Sequence, residues 1–409
     1  MSEPDKIELI LIKISGDDRP GVTAALAEIL SRHEAQILDI GQADIHHSLS
    51  LGILFRTTSE RSGDIMKDLL FKCYELNVKI RFSPISIEDY ESWVSRQGKN
   101  RWIITILGRQ LKAKHIALVT DEIARQQLNI DSIQRLTGRM PLSENEEPRS
   151  KACVEFSVRG NPLDVDTMRS RFLQISQAEE FDISLQEDNV FRRCRRLICF
   201  DMDSTLIETE VIDELAERAG VGQEVRAITE SAMRGEIDFC ESFRRRVALL
   251  KGLDESVMRE IAESLPITEG VERMMEVLKR TGYKTAILSG GFTYFGNYLK
   301  RRFGFDYVYA NELEIADGKL TGRFVGDIVD GKRKAELLRI IAQVENINIA
   351  QTIAVGDGAN DLPMLSTAGL GIAFHAKPKV KQTARQSIST IGLDGVLYFL
   401  GFKDSYILS

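Results

Sequence analysis

The sequence predicts an α/β protein in which two small units, each of βαββαβ order, precede a larger unit built on a parallel sheet. Two observations lead to this prediction. Strand-like and helix-like segments follow one another in the same order in residues 6–88 and again in residues 100–188. From residue 195 to residue 409, apolar strand-like segments alternate with helical ones, which is typical of a parallel sheet covered by helices.

The first unit shows each expected element in turn. "IELILIKISG" alternates as a strand does, whereas "GVTAALAEILSRHE" has the apolar spacing of a helix. A predicted hairpin, a second helix and a last strand complete the unit, and the second unit repeats this ferredoxin-like order. The predicted segments of the first unit are 7–16, 21–34, 35–47, 49–58, 61–77 and 78–86, and those of the second are 101–109, 113–128, 129–138, 151–160, 163–180 and 181–187.

Polar segments predict the boundaries between the units. "GKN" at 98–100 separates the two small units, and "EDNVFRRCRR" at 187–196 separates them from the rest. The polar run 139–150 predicts a surface insertion within the second unit. In the third unit, the strands "RLICF" and "KTAILS" are separated by a long helical stretch, too long for one crossover helix. We therefore expect an inserted helical cap at about 208–268.

Composition limits the classes of function. The 409 residues fit about two to four domains. A formal charge of -7 argues against a general nucleic-acid binder, and no apolar stretch is long enough to span a membrane. The N-terminus does not resemble a signal or transit peptide, and five scattered cysteines without a CxxC pair favour a reducing compartment. We expect a cytoplasmic protein.

Functional-looking residues follow three of the predicted strands. Asp201 and Asp203 follow the first, Ser289 and Gly290 end the second, and the last ends near Asp357. Asn360 and Asp361 follow Asp357 closely, and Lys334 lies between the last two strands, near the start of "KRKAELLRII". Ligands of parallel α/β sheets bind beyond the carboxyl ends of the strands, so we expect these groups to meet there. Acids from separate strands that share one edge need a cation, and all-oxygen ligands suit Mg²⁺.

The same residue types suit phosphate chemistry. A hydroxyl, backbone amides and one lysine can hold a phosphate, and a carboxylate can be a nucleophile while a second transfers protons. Taken singly, each feature has a simpler explanation: Asp201 and Asp203 as a helix cap and solvated loop, Ser289 as a turn, and Lys334 as a surface charge beside Lys332 and Arg333. The sequence lacks the glycine-rich lysine motif of a nucleotide P-loop.

Together the motifs resemble those of the haloacid dehalogenase superfamily. Asp201-Met-Asp203-Ser-Thr205 is similar to its D-x-D-x-T signature, and Ser289, Lys334 and "GDGAND" at 356–361 match its other three motifs in order. "DSTLIETEVIDELAERAG", "AMRGEIDFCESFRRRVALLKGL" and "NELEIADGKLTG" narrow the resemblance to the phosphoserine phosphatases, over about 197–385. It implies a Rossmann-like core and an enzyme that hydrolyses O-phospho-L-serine through an aspartyl-phosphate, the last step of L-serine biosynthesis.

The resemblance also assigns roles to matching positions. Asp201 would be the nucleophile and a Mg²⁺ ligand, Asp203 the general acid and base with its backbone carbonyl on the metal, and Asp357 the third ligand. The other positions divide by partner: the phosphate would be held by Ser289, Gly290 and Lys334, with Asn360 near substrate or metal and Thr205 and Asp361 supporting the site. In the cap, Glu210 would bind the substrate ammonium and Arg246 its carboxylate, while Met233 and Phe239 would close over the site.

The two small units resemble ACT domains, which bind amino acids in metabolic enzymes. The first carries "GDDRPGV" at 16–22, where ACT domains have their ligand loop, so Gly16, Asp18 and Gly21 become effector candidates. The second keeps Gly108 as an effector candidate but lacks the Asp-x-Pro-Gly turn. The resemblance implies regulation by L-serine or another amino acid, and a homodimer.

Two alternatives stay open from the sequence. The protein could be a phosphatase for another small phosphomonoester. It could also be an amino-acid-sensing ACT protein with a vestigial phosphatase, although Asp201, Asp203, Lys334 and Asp357 are all present.

Overall fold

The computed structural model describes residues 6–95, 98, 100–139 and 150–407. They form two compact units, Met1–Lys99 and Asn100–Ser409, and each unit is described by itself. Most of the insertion expected at 139–150, and Lys99 of the first expected linker, lie outside the described residues.

The first unit contains one four-stranded antiparallel sheet with two helices on one face. The sheet order β2-β3-β1-β4 places the first strand between the third and the fourth, which is the ferredoxin-like arrangement. Ile10, Ile12 and Ile14 alternate along β1 and are buried under the helices. A third helix, absent from the sequence-based prediction, follows the last strand. The elements are β1 (Ile7–Asp17), α1 (Val22–Arg32), β2 (Gln36–Ile45), β3 (Ser48–Thr58), α2 (Ser59–Glu75), β4 (Lys79–Ile85) and α3 (Ile87–Ser95).

The second unit begins with the same fold. Its first sheet has the order β6-β7-β5-β8, again with the first strand in an inner position. Trp102 and Ile130 are among the apolar side chains that pack around its core. The elements are β5 (Arg101–Gly108), α4 (Ala113–Arg125), β6 (Asn129–Arg135), β7 (Ala152–Arg159), α5 (Val165–Glu179) and β8 (Asp182–Glu187).

The rest of the second unit is a seven-stranded sheet with helices on both faces and a helical insertion. The elements are β9 (Leu197–Phe200), α6 (Val211–Ala219), α7 (Gly222–Met233), α8 (Phe239–Leu249), α9 (Ser256–Ser264), α10 (Val271–Arg280), β10 (Lys284–Phe292), α11 (Thr293–Phe303), β11 (Tyr307–Ala316), β12 (Lys319–Val325), α12 (Gly331–Val344), β13 (Thr352–Gly356), α13 (Leu362–Thr367), β14 (Leu370–Phe374), α14 (Pro378–Thr383), β15 (Gln386–Ile388), α15 (Gly395–Phe399) and α16 (Asp404–Ile407).

The sheet order is β12-β11-β10-β9-β13-β14-β15. The strand β9 lies at the centre between β10 and β13, and all four of its residues are buried, as a strand covered on both faces requires. The expectation of a parallel sheet needs one correction, because β12 runs antiparallel to β11. Asp317 and Gly318, both with positive φ, make the two-residue turn between them, for which Asp-Gly is a favoured pair.

Four helices, α6 to α9, form a cap between two short linkers. The outgoing linker 206–208 and the returning linker 266–268 pair with each other: Glu208 N donates to Pro266 O at 2.9 Å, and Thr268 N donates to Leu206 O at 3.1 Å. Ile207 and Ile267 form an isolated antiparallel bridge between them. The cap therefore joins the sheet through a two-stranded hinge.

Among the helices that the structure describes, none has both the length and the apolar character required to cross a bilayer.

Candidate active site

The end of the central strand places the two acids of "DMDST". Asp201 directly follows β9, and its backbone N–H donates to Val355 O on β13 at 2.9 Å, which fixes it beside the strand that ends near Asp357. Asp203 lies in the turn that leaves the sheet, where its Oδ1 accepts a hydrogen bond from the backbone of Val211 at 3.1 Å. Because Val211 is the first residue of α6, Asp203 connects the sheet edge to the first cap helix.

Near the end of β10 the pairing with β11 is interrupted between Leu288 and Phe292, and the small residues 289–291 form an irregular segment there, the glycine loop. Ser289 is fully buried, and its Oγ accepts a hydrogen bond from Gly291 N at 2.9 Å. A Cβ at Gly291 would overlap the Asp203 carboxylate, and a Cβ at Gly290 would come within 2.9 Å of the Phe239 ring. Both positions therefore require glycine because other side chains already occupy the space.

Asn311 is a site residue that the sequence-based prediction missed. It lies in β11, is only 1 % exposed, and its Nδ2 donates to Gly290 O at 2.8 Å. Its Oδ1 accepts from Val329 N at 2.8 Å, in the segment that leads to Lys334. One amide thus holds two parts of the site together. The signal was present in the sequence, since Asn311 ends the apolar run "YVYAN".

Lys334 lies at the centre of the cluster, on the first turns of α12. The Asp330 side chain caps this helix by accepting from Arg333 N at 2.8 Å. The Lys334 Nζ is 2.8 Å from Asp201 Oδ1 and 2.7 Å from Asp361 Oδ1, and the side chain is fully buried. Burial lowers the pKa of Lys334, but the two carboxylates outweigh it and the net shift is upward. The lysine is therefore charged.

Three carboxylates could share a metal ion. Asp201, Asp357 and Asp361 each offer an oxygen, and these atoms lie within 4.8 Å of one another. Burial, followed by the charge of Asp361, raises the pKa of Asp201, and the same causes raise the pKa of Asp357 to about 7. A set of hard oxygen ligands whose charges oppose one another fits a divalent cation such as Mg²⁺.

The carboxylate cluster contains a different set of acids from the one that the sequence predicts as metal ligands. The Asp203 carboxylate is outside that cluster, whereas Asp361, expected only to support the site, contributes an oxygen to it. Asp361 Oδ2 also accepts from Gly358 N at 2.9 Å, which fixes the loop after β13. Burial, then the charges of Glu210 and Asp201, raise the pKa of Asp203. A raised pKa favours the protonated form that a general acid needs.

Glu210 and Arg246 are the two charged cap residues that the sequence motifs singled out. Glu210 precedes α6, and its Oε1 accepts from Ser204 Oγ at 3.1 Å, so it stays next to the loop that carries Asp203. Desolvation by the surrounding protein raises the pKa of Glu210, and its hydrogen bond with Ser204 partly offsets this effect. Burial lowers the pKa of Arg246, and the carboxylates of Glu210 and Asp213 partly offset that effect. The charges of Glu210 and Arg246 are therefore close enough to affect each other.

The two residues expected to close the site are placed unequally. The ring of Phe239 lies directly over Gly290 and stacks on Phe243, with centroids 6.3 Å apart. Met233 is 67 % exposed, and its Sδ lies 3.8 Å from the Nζ of Lys377 in the loop before α14. Phe239 covers the glycine loop in this conformation, whereas Met233 is largely open to solvent.

The remaining predicted residues lie at the same edge of the sheet. Thr205 is fully buried in the turn after Asp203. Asn360 belongs to the loop after β13, and its carbonyl lies against Gly331 at the start of α12. These contacts place both residues within the framework that holds Asp201 and Lys334.

The effector candidates lie in the two ferredoxin-like units. In the first, the loop from Asp18 to Gly21 is exposed, Asp18 N donates to His47 O at 2.8 Å, and Gly21 has φ +96° at the start of α1. Gly16 packs closely on Val78. In the second, Gly108 packs on Phe181, and the next residue, Arg109, binds Glu269. Effector binding at these positions stays a prediction.

Comparison with known families gives three matches along the chain. Family models described as ACT domain match residues 8–83 and 101–186. A family model described as haloacid dehalogenase-like hydrolase matches residues 198–366. The families named from the sequence motifs are confirmed by these matches.

Relatives match over nearly the whole length. A phosphoserine phosphatase of Streptomyces coelicolor is 38% identical over 98% of this chain and 94% of its own length. The phosphoserine phosphatase SerB2 of Mycobacterium tuberculosis is 39% identical over 97% of this chain and 94% of its own. A crystal structure of a probable phosphoserine phosphatase from Vibrio cholerae superposes with a TM-score of 0.57 at 36% identity, covering 74% of this chain and 86% of that one.

Proposed function

Because this chain belongs to the phosphoserine phosphatase family of haloacid dehalogenase-like hydrolases, we propose that it hydrolyses O-phospho-L-serine to L-serine and phosphate. The observation that carries the proposal is the buried contact of Lys334 with Asp201 and Asp361, at the edge where Ser289 and Asp357 also lie. This arrangement supports a phosphate seat next to a carboxylate nucleophile.

The proposed reaction has two steps. In the first, the Asp201 carboxylate attacks phosphorus, the bond from phosphorus to the serine oxygen breaks, and Asp203 gives its proton to that oxygen. In the second, water attacks the aspartyl-phosphate while Asp203 takes a proton from it, which frees Asp201 and phosphate. The raised pKa of Asp203 supports its role as the acid in the first step.

Two kinds of positive charge offset the phosphate. Lys334 lies against the nucleophile and would contact an incoming phosphoryl oxygen. Haloacid dehalogenase phosphatases generally use a divalent metal, and we propose Mg²⁺ held by Asp201, Asp357 and the backbone carbonyl of Asp203. Asp361 would stay bound to Lys334 and to Gly358 N beside the metal. When bound, the metal supplies charge neutralisation between the carboxylates and the phosphate. Ser289 and the amides of the glycine loop would bind the remaining phosphate oxygens.

The cap would select the amino acid. Phosphoserine carries an ammonium and a carboxylate beside its phosphate, and Glu210 and Arg246 offer the opposite charges close to each other. A guanidinium can bind a carboxylate with two hydrogen bonds, which adds geometric selectivity. Phe239 over Gly290 would exclude water from the phosphate.

Phosphate release across a panel tests this function. We expect purified protein with Mg²⁺ to release phosphate from phosphoserine faster than from phosphothreonine or sugar phosphates, and Asp201→Asn to remove the activity. Asp317→Asn, on the exposed turn between β11 and β12, is the matched control and should keep full turnover. Faster release from another phosphomonoester would change the substrate, and a fully active Asp201→Asn would remove the proposed nucleophile.

The wider role follows as a further part of the proposal. The reaction would be the last step of L-serine biosynthesis in the cytoplasm, in a homodimer. ACT domains bind amino acids, so L-serine is the expected effector at the exposed loop of the first unit. If so, L-serine should change the rate beyond simple competition with substrate, and Asp18→Ala should remove that change. Light scattering of the purified chain tests the dimer.

A further inference from the structure

The second ferredoxin-like unit is joined to the phosphatase sheet by buried polar contacts. The Asp182 carboxylate on β8 accepts hydrogen bonds from the backbone of Ser389 at 2.9 Å and of Thr390 at 3.0 Å. The Gln386 side chain donates to Leu185 O at 2.6 Å and accepts from Leu185 N at 3.1 Å. Since Asp182 is fully buried, this contact is an internal interface of one folded unit.

A second group of contacts at this interface reaches the cap hinge. Arg109 directly follows β5, and its guanidinium binds Glu269 with two parallel hydrogen bonds, Nη1 to Oε1 at 2.9 Å and Nη2 to Oε2 at 2.6 Å. Glu269 is the residue directly after the returning linker 266–268. The pair therefore connects the ACT-like unit to the end of the two-stranded hinge that carries the cap.

The backbone of Glu269 makes further contacts with the C-terminal part of the chain. Its carbonyl accepts from Leu393 N at 2.7 Å, and a Cβ at Gly392 would lie 2.5 Å from that oxygen. Arg273, one turn into α10, donates to the buried Asp394 at 2.7 Å and to Asp404 at 2.6 Å. Lys151 of the ACT-like unit also contacts Asp394. Arg109 thus adds a side-chain contact to a residue whose backbone is bound to the segment around Leu393.

The strength of the contact is consistent with a positional role. The side chains of Arg109 and Glu269 are 33% and 27% exposed, and a bidentate guanidinium–carboxylate pair fixes both distance and orientation. The hydrogen bonding that Arg109 donates to Glu269, more than any other cause, raises the pKa of Arg109. In the first unit, the loop after β1, from Asp18 to Gly21, occupies the position that Arg109 has after β5, and that loop is exposed.

We propose that Arg109 and Glu269 are positioning residues for the cap: their contact fixes the hinge so that Glu210 and Arg246 reach the substrate. The second ACT-like unit then sets substrate affinity through a direct mechanical contact, using the loop that the first unit leaves open. This proposal rests on the proposed hydrolysis of phosphoserine for its kinetic readout.

The test compares two substrates in Arg109→Ala, Glu269→Gln and the double variant. p-Nitrophenyl phosphate has neither ammonium nor carboxylate, so it does not need Glu210 or Arg246. We expect each single variant to raise the KM for phosphoserine about fivefold or more, with kcat and the hydrolysis of p-nitrophenyl phosphate within about twofold. The double variant should be no worse than the singles, because both remove one contact. Unchanged constants, equal effects on both substrates, or multiplying effects would overturn the proposal.

A control and a second readout separate this idea from general instability and from a wrong substrate. Thr390→Val removes the 2.7 Å hydrogen bond to Asp182 at the same interface, far along the chain from the hinge, and should leave the KM unchanged. Hydrogen exchange on the full chain should be faster at Glu208 and Thr268 in Glu269→Gln than in Thr390→Val. If wild-type protein does not hydrolyse phosphoserine, the proposed function fails, and the exchange at these two amides still decides the hinge contact. Exchange equal to that of the control would overturn it.

Discussion

The ammonium of Lys334 lies 2.8 Å from Asp201 Oδ1 and 2.7 Å from Asp361 Oδ1, with all three side chains nearly or completely buried. A buried lysine is tolerated only when its charge is paired, and a group of buried carboxylates is tolerated only with a cation among them. The lysine and the two carboxylates therefore offset each other's cost of burial. The contact also places a positive charge where the phosphate of a substrate would arrive.

Removal of this charge should cost both stability and activity. In metal-free protein, Lys334→Ala leaves the buried carboxylates without their cation, so we expect the phosphatase unit to lose about 3 kcal/mol, or roughly 6–12 °C of its melting temperature. Calorimetry in the presence of a chelator measures this shift, and phosphate release should fall below detection. Lys332→Ala, an exposed neighbour in the same basic run, should change neither quantity. A Lys334→Ala melting temperature equal to that of wild type would contradict the pairing.

The cap arginine should matter only for a zwitterionic substrate. Arg246→Ala removes the proposed carboxylate partner, and loss of a buried charge contact should lower kcat/KM for phosphoserine about 100-fold or more. Hydrolysis of p-nitrophenyl phosphate should stay within about threefold. The adjacent Arg245 pairs with Glu241 on the exposed side of α8, so Arg245→Ala is the matched control. Equal losses on the two substrates would assign Arg246 to catalysis or folding rather than to the amino-acid group.

The side chain of Asn311 should keep the glycine loop in position. Asn311→Ala leaves Gly290 O and Val329 N without their buried partner, which costs about 1–3 kcal/mol and lets the loop move. We expect kcat/KM to fall about 10- to 100-fold with Mg²⁺ dependence unchanged. Steady-state kinetics and a thermal melt measure the two effects. Asn297→Ala, on the exposed face of α11, serves for comparison, and full activity of Asn311→Ala would show that the loop keeps its shape without the amide.

Metal binding should stabilise the acidic cluster. Burial, and after it the charge of Asp361, raises the pKa of Asp357 to about 7, so a bound cation would favour the charged carboxylates that the metal-free protein disfavours. At 100 times its dissociation constant, Mg²⁺ should add about 2.7 kcal/mol, or roughly 5–10 °C. Differential scanning fluorimetry with and without Mg²⁺ measures this shift. Asp357→Asn should lose most of it, whereas Asp317→Asn should keep it, and an equal shift in both variants would place the metal elsewhere.

The ordered motifs made much of the site predictable. Strand-like runs that end in Asp201, Ser289 and Asp357 must bring these residues to one edge, because parallel strands of one sheet share a direction. The antiparallel β12 and the short strands β14 and β15 were not predicted, since short apolar segments do not specify their neighbours or direction. The helix α3 was also missed, although Ile87, Tyr90 and Trp93 follow helical spacing; it is short, and none of its nine residues is buried.

By itself, the sequence determined the order of the units, the family and the residue types of the active site, because period, spacing and motif order are local properties of the chain. Only the tertiary structure decided which acids surround Lys334 and that Asn311 joins two segments of the site. It also decided that Arg109 binds Glu269, which lies 160 residues further along the chain. Such contacts depend on how separate elements pack, and an arginine on an isolated segment looks the same whether it meets water or the hinge of a cap.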